Sequence, residues 1–122
     1  MHELAVCQAL LNEVQRVAGA TPAGPVMRVT LRIGPLSGVE PHLLQRAFEV
    51  ARAGGIAAEA ELRIEPAPVR VECLLCHGVS DAAPNRLLCA HCGAWRTRVV
   101  AGDELVLQRV EFRPAPAVSQ AA

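Results

Sequence analysis

The chain has no lysine and no tyrosine, and only two phenylalanines and one tryptophan among its 122 residues. With aromatics at 2% and hydrophobic residues at 52%, any core must be assembled from Leu, Val, Ile and Ala. An excess of one charge sign is also missing: 12 basic residues, all arginine, face 12 acidic ones, for a formal net charge of zero. That balance removes the electrostatic basis for a dominant attraction to nucleic acid or to an anionic membrane, so neither is expected as a partner. No apolar run approaches the roughly 18 residues needed to span a bilayer. The start, Met1-His2-Glu3-Leu4, lacks the basic and apolar regions of an export signal. A cytoplasmic, reducing setting is therefore expected, in which cysteines stay as thiols or bind metal. There is no phosphate-cradling Gly loop and no cluster of acid, base and nucleophile, so the chain is not expected to be an enzyme.

What is present is a cysteine pattern. Cys73-Leu-Leu-Cys76 and Cys89-Ala-His-Cys92 form C-x2-C-x12-C-x2-C. Each pair can sit on a tight knuckle with both sulfurs aimed at one ion, and two knuckles supply the four thiolates of a tetrahedral structural zinc site. The closed set leaves no open coordination position for a substrate. Tetrahedral sulfur also suits iron, which spacing alone does not separate from zinc. Cys73-Leu-Leu-Cys76-His77 is literally a haem-attachment string, but the second knuckle and the missing export signal argue against that use. His77 and His91 each neighbour a cysteine. They read as solvated loop residues, with substitution for a protonated thiolate as the sharper alternative. Cys7, with no second ligand within local reach, reads as a small buried apolar residue.

The remainder has α+β punctuation. Residues 2–18 read as a helix whose apolar stripe is Leu4, Cys7, Leu11, Val14 and Ala18, ending at Gly19 before a loop through Pro25. Val26–Ile33 alternates as a half-buried strand, with Met27, Val29, Leu31 and Ile33 on the apolar side. Pro41 opens a second helix with Leu44, Ala47, Phe48 and Ala51 inward, and His42 as a solvated residue of its first turn. Residues 60–64 make a second strand, which short connections place parallel to the first. The only tryptophan, Trp95, is expected to cover a thin apolar patch in the cysteine lobe. Residues 104–112 form a last strand returning to the first sheet, with a bulge near Gln108-Arg109 where the alternation shifts.

The predicted fold class is thus α+β, two helices packed on a small mixed β-sheet with an inserted zinc-ribbon lobe. The expected divisions are residues 1–68 completed by strand 103–113, a ribbon lobe at 69–99, and a disordered tail at 114–122.

His2 has unusual chemical company. The terminal amine of Met1, the His2 amide and the His2 imidazole can chelate one ion, with the next amide or the Glu3 carboxylate in the fourth place. Such in-plane nitrogen donors suit Ni(II) or Cu(II). By itself the feature reads as a frayed, solvated terminus. Taken together, Met1-His2-Glu3-Leu4, Arg32-Ile-Gly-Pro-Leu-Ser-Gly-Val-Glu-Pro41, Ala47-Phe-Glu49, the two knuckles and Gly102-Asp-Glu-Leu105 resemble the HypA/HybF family of hydrogenase maturation nickel metallochaperones. The resemblance runs to about residue 113. It implies a nickel-binding α+β domain with His2 as nickel ligand, assisted by the Met1 amine and the backbone at His2 and Glu3. It implies structural zinc on Cys73, Cys76, Cys89 and Cys92. The partners it implies are a GTPase nickel chaperone and the hydrogenase large subunit precursor. The rival is a zinc-ribbon module that binds protein or nucleic acid.

Overall fold

The computed structural model describes residues 2–19 and 24–114. The expected tail lies outside the described residues from position 115 on, as do the Met1 amine and the His2 side chain. The element order is α1 (His2–Gly19), β1 (Val26–Ile33), α2 (Pro41–Ala51), β2 (Glu61–Pro66), β3 (Arg70–Cys73), β4 (Val79–Asp81), β5 (Thr97–Ala101) and β6 (Leu105–Phe112). One three-stranded sheet has the order β2-β1-β6 and a second the order β4-β3-β5. Contacts divide the chain into two compact units, residues 1–30, 42–63 and 107–122, and residues 31–41 and 64–106. None of the described helices is long and apolar enough to cross a membrane.

Strand directions follow from the bonds at the ends of β1. Arg28 pairs with Glu61 at 3.0 Å, and the Ala67 amide donates to the Ile33 carbonyl at 3.0 Å. Early residues of β1 and β2 therefore meet, as do late ones, and the pair is parallel, as the strand–helix–strand pattern requires. The Arg113 amide donates to Pro25 and the Gly34 amide to Glu104, each at 2.8 Å, so β6 runs antiparallel to β1. Exposure does not alternate along β6: Leu105 and Val106, and again Gln108 and Arg109, are adjacent exposed residues.

In the first unit the core is aliphatic around one ring. Phe48, Leu44, Val14, Val29 and Cys7 are fully buried, and burying a side chain of Leu, Val or Phe size contributes about 1.5–3 kcal/mol. The Cys7 thiol donates to the Leu44 carbonyl at 3.5 Å, and burial pushes its pKa up to about 11, leaving a neutral, inert group. The stripe on α1 is rotated from the predicted one: Glu3, Cys7, Leu10 and Val14 are buried, while Leu4 is 46% exposed. Both stripes contain positions 7 and 14. Adjacent leucines at 10 and 11 leave the helical period indifferent between them, and packing chooses. Gln45 of α2 donates to the Leu62 carbonyl of β2 at 2.7 Å, and Arg52, just past the end of α2, donates to the carbonyl of Ala60, just before β2.

β1 departs from simple alternation. Met27 is exposed, and Thr30, predicted on the polar side, is fully buried. Arg28, two residues before Thr30, pairs with both Glu61 and Glu111. Thr30 Oγ1 is the one buried side-chain N or O atom without a hydrogen-bond partner among the described residues. An unsatisfied buried hydroxyl costs about 1–3 kcal/mol. Thr30→Val keeps the shape and removes that cost, so its urea midpoint is expected to rise, by roughly 1 kcal/mol of stability. A fall in the midpoint would mean that the hydroxyl has a partner in solution.

In the second unit two sequence-distant segments interlock. The amides of Gly34 and Leu36 donate to the carbonyls of Glu104 and Gly102, each at 2.8 Å. A Cβ at Gly34 would run into the Gly102 carbonyl, and one at Gly102, where φ is +112°, into Val69. The Glu104 carboxylate accepts from its own amide and from that of Gly102, which hold it below the usual carboxylate range. That contribution is present above the ordinary carboxylate pKa and is lost as pH falls through the lowered folded value. The motifs at 32–41 and 102–105 are thus two halves of one backbone clasp.

Candidate metal centre

β3 ends on Cys73, and the chain turns at once. The Cys73 amide donates to Gly78 at 2.9 Å and the His77 amide returns to the Cys73 carbonyl at 3.0 Å, closing the first knuckle. The second repeats this scheme, with Cys89 donating to Ala94 at 3.0 Å and Gly93 to Cys89 at 2.9 Å. The residue after each second cysteine takes a left-handed conformation, φ +76° at Gly93 and +64° at His77. Glycine accepts this without penalty, whereas a side chain there costs roughly 1–2 kcal/mol. The knuckles are held together by side chains that spacing could not single out. Ser80 Oγ accepts from the Ala90 amide at 3.0 Å, and Thr97 Oγ1 donates to the Leu87 carbonyl at 2.7 Å.

The four sulfurs of Cys73, Cys76, Cys89 and Cys92 lie within 4.8 Å of one another, with Cys73–Cys92 and Cys76–Cys89 both at 3.6 Å. Four sulfurs about 2.3 Å from a tetrahedral zinc ion would stand about 3.8 Å apart. The donor set therefore fits structural zinc in both chemistry and spacing. Among the described residues it is the only such group of three or more His, Cys, Asp or Glu ligand atoms. Cys73 and Cys89 are buried, Cys76 and Cys92 exposed.

Amides are aimed at the first sulfur of each knuckle. Those of Leu75 and Cys76 lie 3.3 Å from Cys73 Sγ, and that of His91 lies 3.3 Å from Cys89 Sγ. The Cys76 amide, then that of Leu75, lowers the Cys73 pKa. The Cys92 amide foremost, helped by that of His91, brings Cys89 down to about 6 despite burial. Cys92 goes the other way: the Ala94 amide pulls it down, but the sulfur of Cys73, burial and the sulfurs of Cys89 and Cys76 outweigh that and push it up to about 11. Four thiolates this close cannot all ionise without a cation between them.

The other predicted residues are dispersed. His77 is exposed at its left-handed position. His91 is exposed, with Nε2 3.3 Å from the Val79 carbonyl oxygen and its ring edge where a Cβ on Gly78 would sit. His42 is exposed in the first turn of α2, and Cys7 belongs to the other unit's core. Glu3 is buried and makes an interaction of its own. Trp95 does not cover a patch: it is 73% exposed, with the Arg96 guanidinium 5.2 Å from its ring centroid.

The family model described as hydrogenase/urease nickel incorporation, metallochaperone, HypA matches residues 1–112. A hydrogenase maturation factor HypA of Nitrosospira multiformis is 45% identical over 112 residues, covering 92% of this chain and 97% of that one. The protein of the same name from Aquifex aeolicus is 36% identical, covering 92% and 97%. The solution structure of the Ni metallochaperone HypA from Helicobacter pylori superposes with a TM-score of 0.69 at 27% identity, covering 94% of this chain and all of that one. The α+β architecture, the cysteine cage and a match that spans the chain from its first residue establish that the chain belongs to the HypA family of hydrogenase/urease nickel-incorporation metallochaperones.

Proposed function

We propose that the chain is a nickel carrier and not an enzyme, working in the cytoplasm. It takes up Ni(II) at its amino terminus and delivers it to the [NiFe]-hydrogenase large subunit precursor, in concert with a GTPase nickel chaperone. The observation that carries this reading is the extent of the family match, which begins at residue 1 and so includes Met1-His2-Glu3. His2 is the proposed nickel ligand, with the Met1 amine and the backbone around Glu3 completing the set. Residues 1–68 with strand 103–113 form the proposed nickel-binding domain, and 69–99 the ribbon, where Cys73, Cys76, Cys89 and Cys92 hold zinc as a structural ion.

Helix chemistry supports a site at this end. α1 starts at His2, and the first four amides of a helix have no partner within it. The amides of His2 and Glu3 can therefore give up a proton to a metal without breaking the helical ladder. The helix dipole opposes a cation there by about 0.3–1 kcal/mol. Deprotonated amides and the acidic Glu3 in the first turn offset it. Because the Glu3 carboxylate is buried, its amide is the better candidate ligand. A terminal site stays open to ligand exchange with a recipient, whereas four thiolates close around zinc completely.

The test is a titration of Ni(II) into protein with a native, untagged terminus and its zinc in place. One equivalent taken up with no zinc displaced is expected. No uptake, or uptake only at the expense of zinc, would overturn the reading.

A further inference from the structure

The chain spends its only tryptophan on the surface. Leu74 is 54% exposed, Leu75 60% and Trp95 73%, and all three flank the cysteine knuckles. Isolated exposed apolar residues are ordinary and need no explanation. These are not isolated: the Leu74 amide donates to the Arg96 carbonyl at 2.9 Å, which sets the leucine pair beside the Trp95–Arg96 segment at one end of the ribbon. Nor are they loosely held. Trp95 stands between the Ala94 carbonyl, which accepts from Cys89, and the Arg96 carbonyl, which accepts from Leu74. Its backbone is pinned to both knuckles while its ring faces solvent. Fixed aromatic and aliphatic anchors lose little freedom on binding, and Trp and Arg are the side chains that most often dominate an interface.

The charges around this apex are one-sided. Within the ribbon, Glu72 is paired with Arg98 and Asp81 with Arg70. Arg86 and Arg96 have no carboxylate partner among the described residues, and the Arg96 guanidinium lies against the Trp95 ring. A second copy of the chain docked on this apex would bring Arg96 against its own counterpart, which disfavours self-association. Single-stranded nucleic acid is bound by several aromatics in series, and this chain has one at the site. We propose that the apex formed by Leu74, Leu75, Trp95 and Arg96 is a docking surface for an acidic, apolar segment of a protein partner. It is separate in sequence from the proposed nickel ligands, and it does not depend on nickel being bound.

Trp95 is its own reporter, since no other tryptophan or tyrosine emits. The experiment uses the full, zinc-loaded chain. It is titrated with short synthetic peptides of three kinds (Leu/Glu, Leu/Lys and Ser/Glu) and with oligothymidylate, while tryptophan emission is followed. The Leu/Glu peptide alone is expected to shift emission to the blue. Leu75→Ser is expected to weaken it about tenfold, as loss of a central apolar anchor does. Arg96→Glu is expected to transfer the preference to the Leu/Lys peptide. Val50→Ser, on the exposed face of α2, serves as the control and is expected to change nothing. Zinc content and nickel uptake should be equal in all variants, so failure here is distinguishable from failure of the nickel reading. No response to the Leu/Glu peptide, an equal response to Leu/Lys, a response to oligothymidylate instead, or a blue shift with protein concentration alone would each overturn the proposal.

Discussion

Cys73→Ala is expected to release the ribbon's zinc and to leave residues 69–99 open to protease, while the helical signal of α1 and α2 persists. The reason lies in what fills the second unit. Its buried side chains between residues 69 and 99 are Val69, Val71, Ser80 and two of the cysteines themselves, Cys73 and Cys89. So few apolar groups cannot offset the ordering entropy of a lobe this size at about 1–2 kcal/mol per residue of backbone. A structural zinc ion supplies about 10–16 kcal/mol, and it supplies it only to the folded arrangement. The helices draw on a different core, around Phe48, Leu44 and Val14, and do not need the ion. Elemental analysis should fall from one zinc per chain to none, and limited proteolysis should cut within the ribbon. Zinc retained at one per chain would remove Cys73 from the ligand set, and an undiminished resistance to protease without metal would remove the ion from the folding balance. Uptake by metal-free protein should also release protons near neutral pH. Cys92, at about 11, enters protonated, whereas Cys89, at about 6, is already largely a thiolate. Zinc affinity should accordingly decline as pH falls.

The sequence carried the cysteine cage completely, because metal geometry demands two closely spaced pairs at this kind of spacing and few other roles do. It carried β1 and the start of α2 to the residue, since alternation and Pro41 act locally. Other features depended on tertiary packing. The rotation of α1 was ambiguous between adjacent leucines, so Leu10 was missed and Leu4 misplaced. Thr30 was assigned to water because alternation within one strand says nothing of what distant segments cover. Trp95 was expected to cover a thin apolar patch because the lobe has little core, yet its backbone is held between the two knuckles and its ring is 73% exposed. In the knuckles, Gly93 is of a type suited to its left-handed turn, while His77 adopts the same geometry with no signal in its type. The amides aimed at Cys73 and Cys89 are a product of the turn itself and have no side chain to reveal them.

Abolition of specific nickel binding is the expected result of His2→Ala, with zinc content and thermal stability nearly unchanged. Few packing contacts are at stake at a chain end, so losing the imidazole costs the fold little. A sharper test leaves His2 in place and adds Gly-Ser before Met1. The extension turns the terminal amine into an amide, which binds a metal well only after giving up a proton it holds far more tightly. Nickel affinity should then drop even though every side chain is intact. The native chain should show, besides the imidazole step that both chains share, a Met1 amine step in its pH dependence that the extended one lacks. An amine of ordinary pKa about 7.7–8.0 and an imidazole of about 6.5 must both be unprotonated to ligate. Affinity is therefore full above that range and is lost as pH falls through it, the direction opposite to any gain from protonation. Zinc on thiolates whose pKa the metal itself lowers should persist to more acidic conditions. Isotherms of the native, His2→Ala and extended proteins across pH decide the matter. Equal affinity in native and extended chains would exclude the amine, and undiminished binding in His2→Ala would exclude the imidazole. Either outcome would move the search to His42, exposed on the first turn of α2.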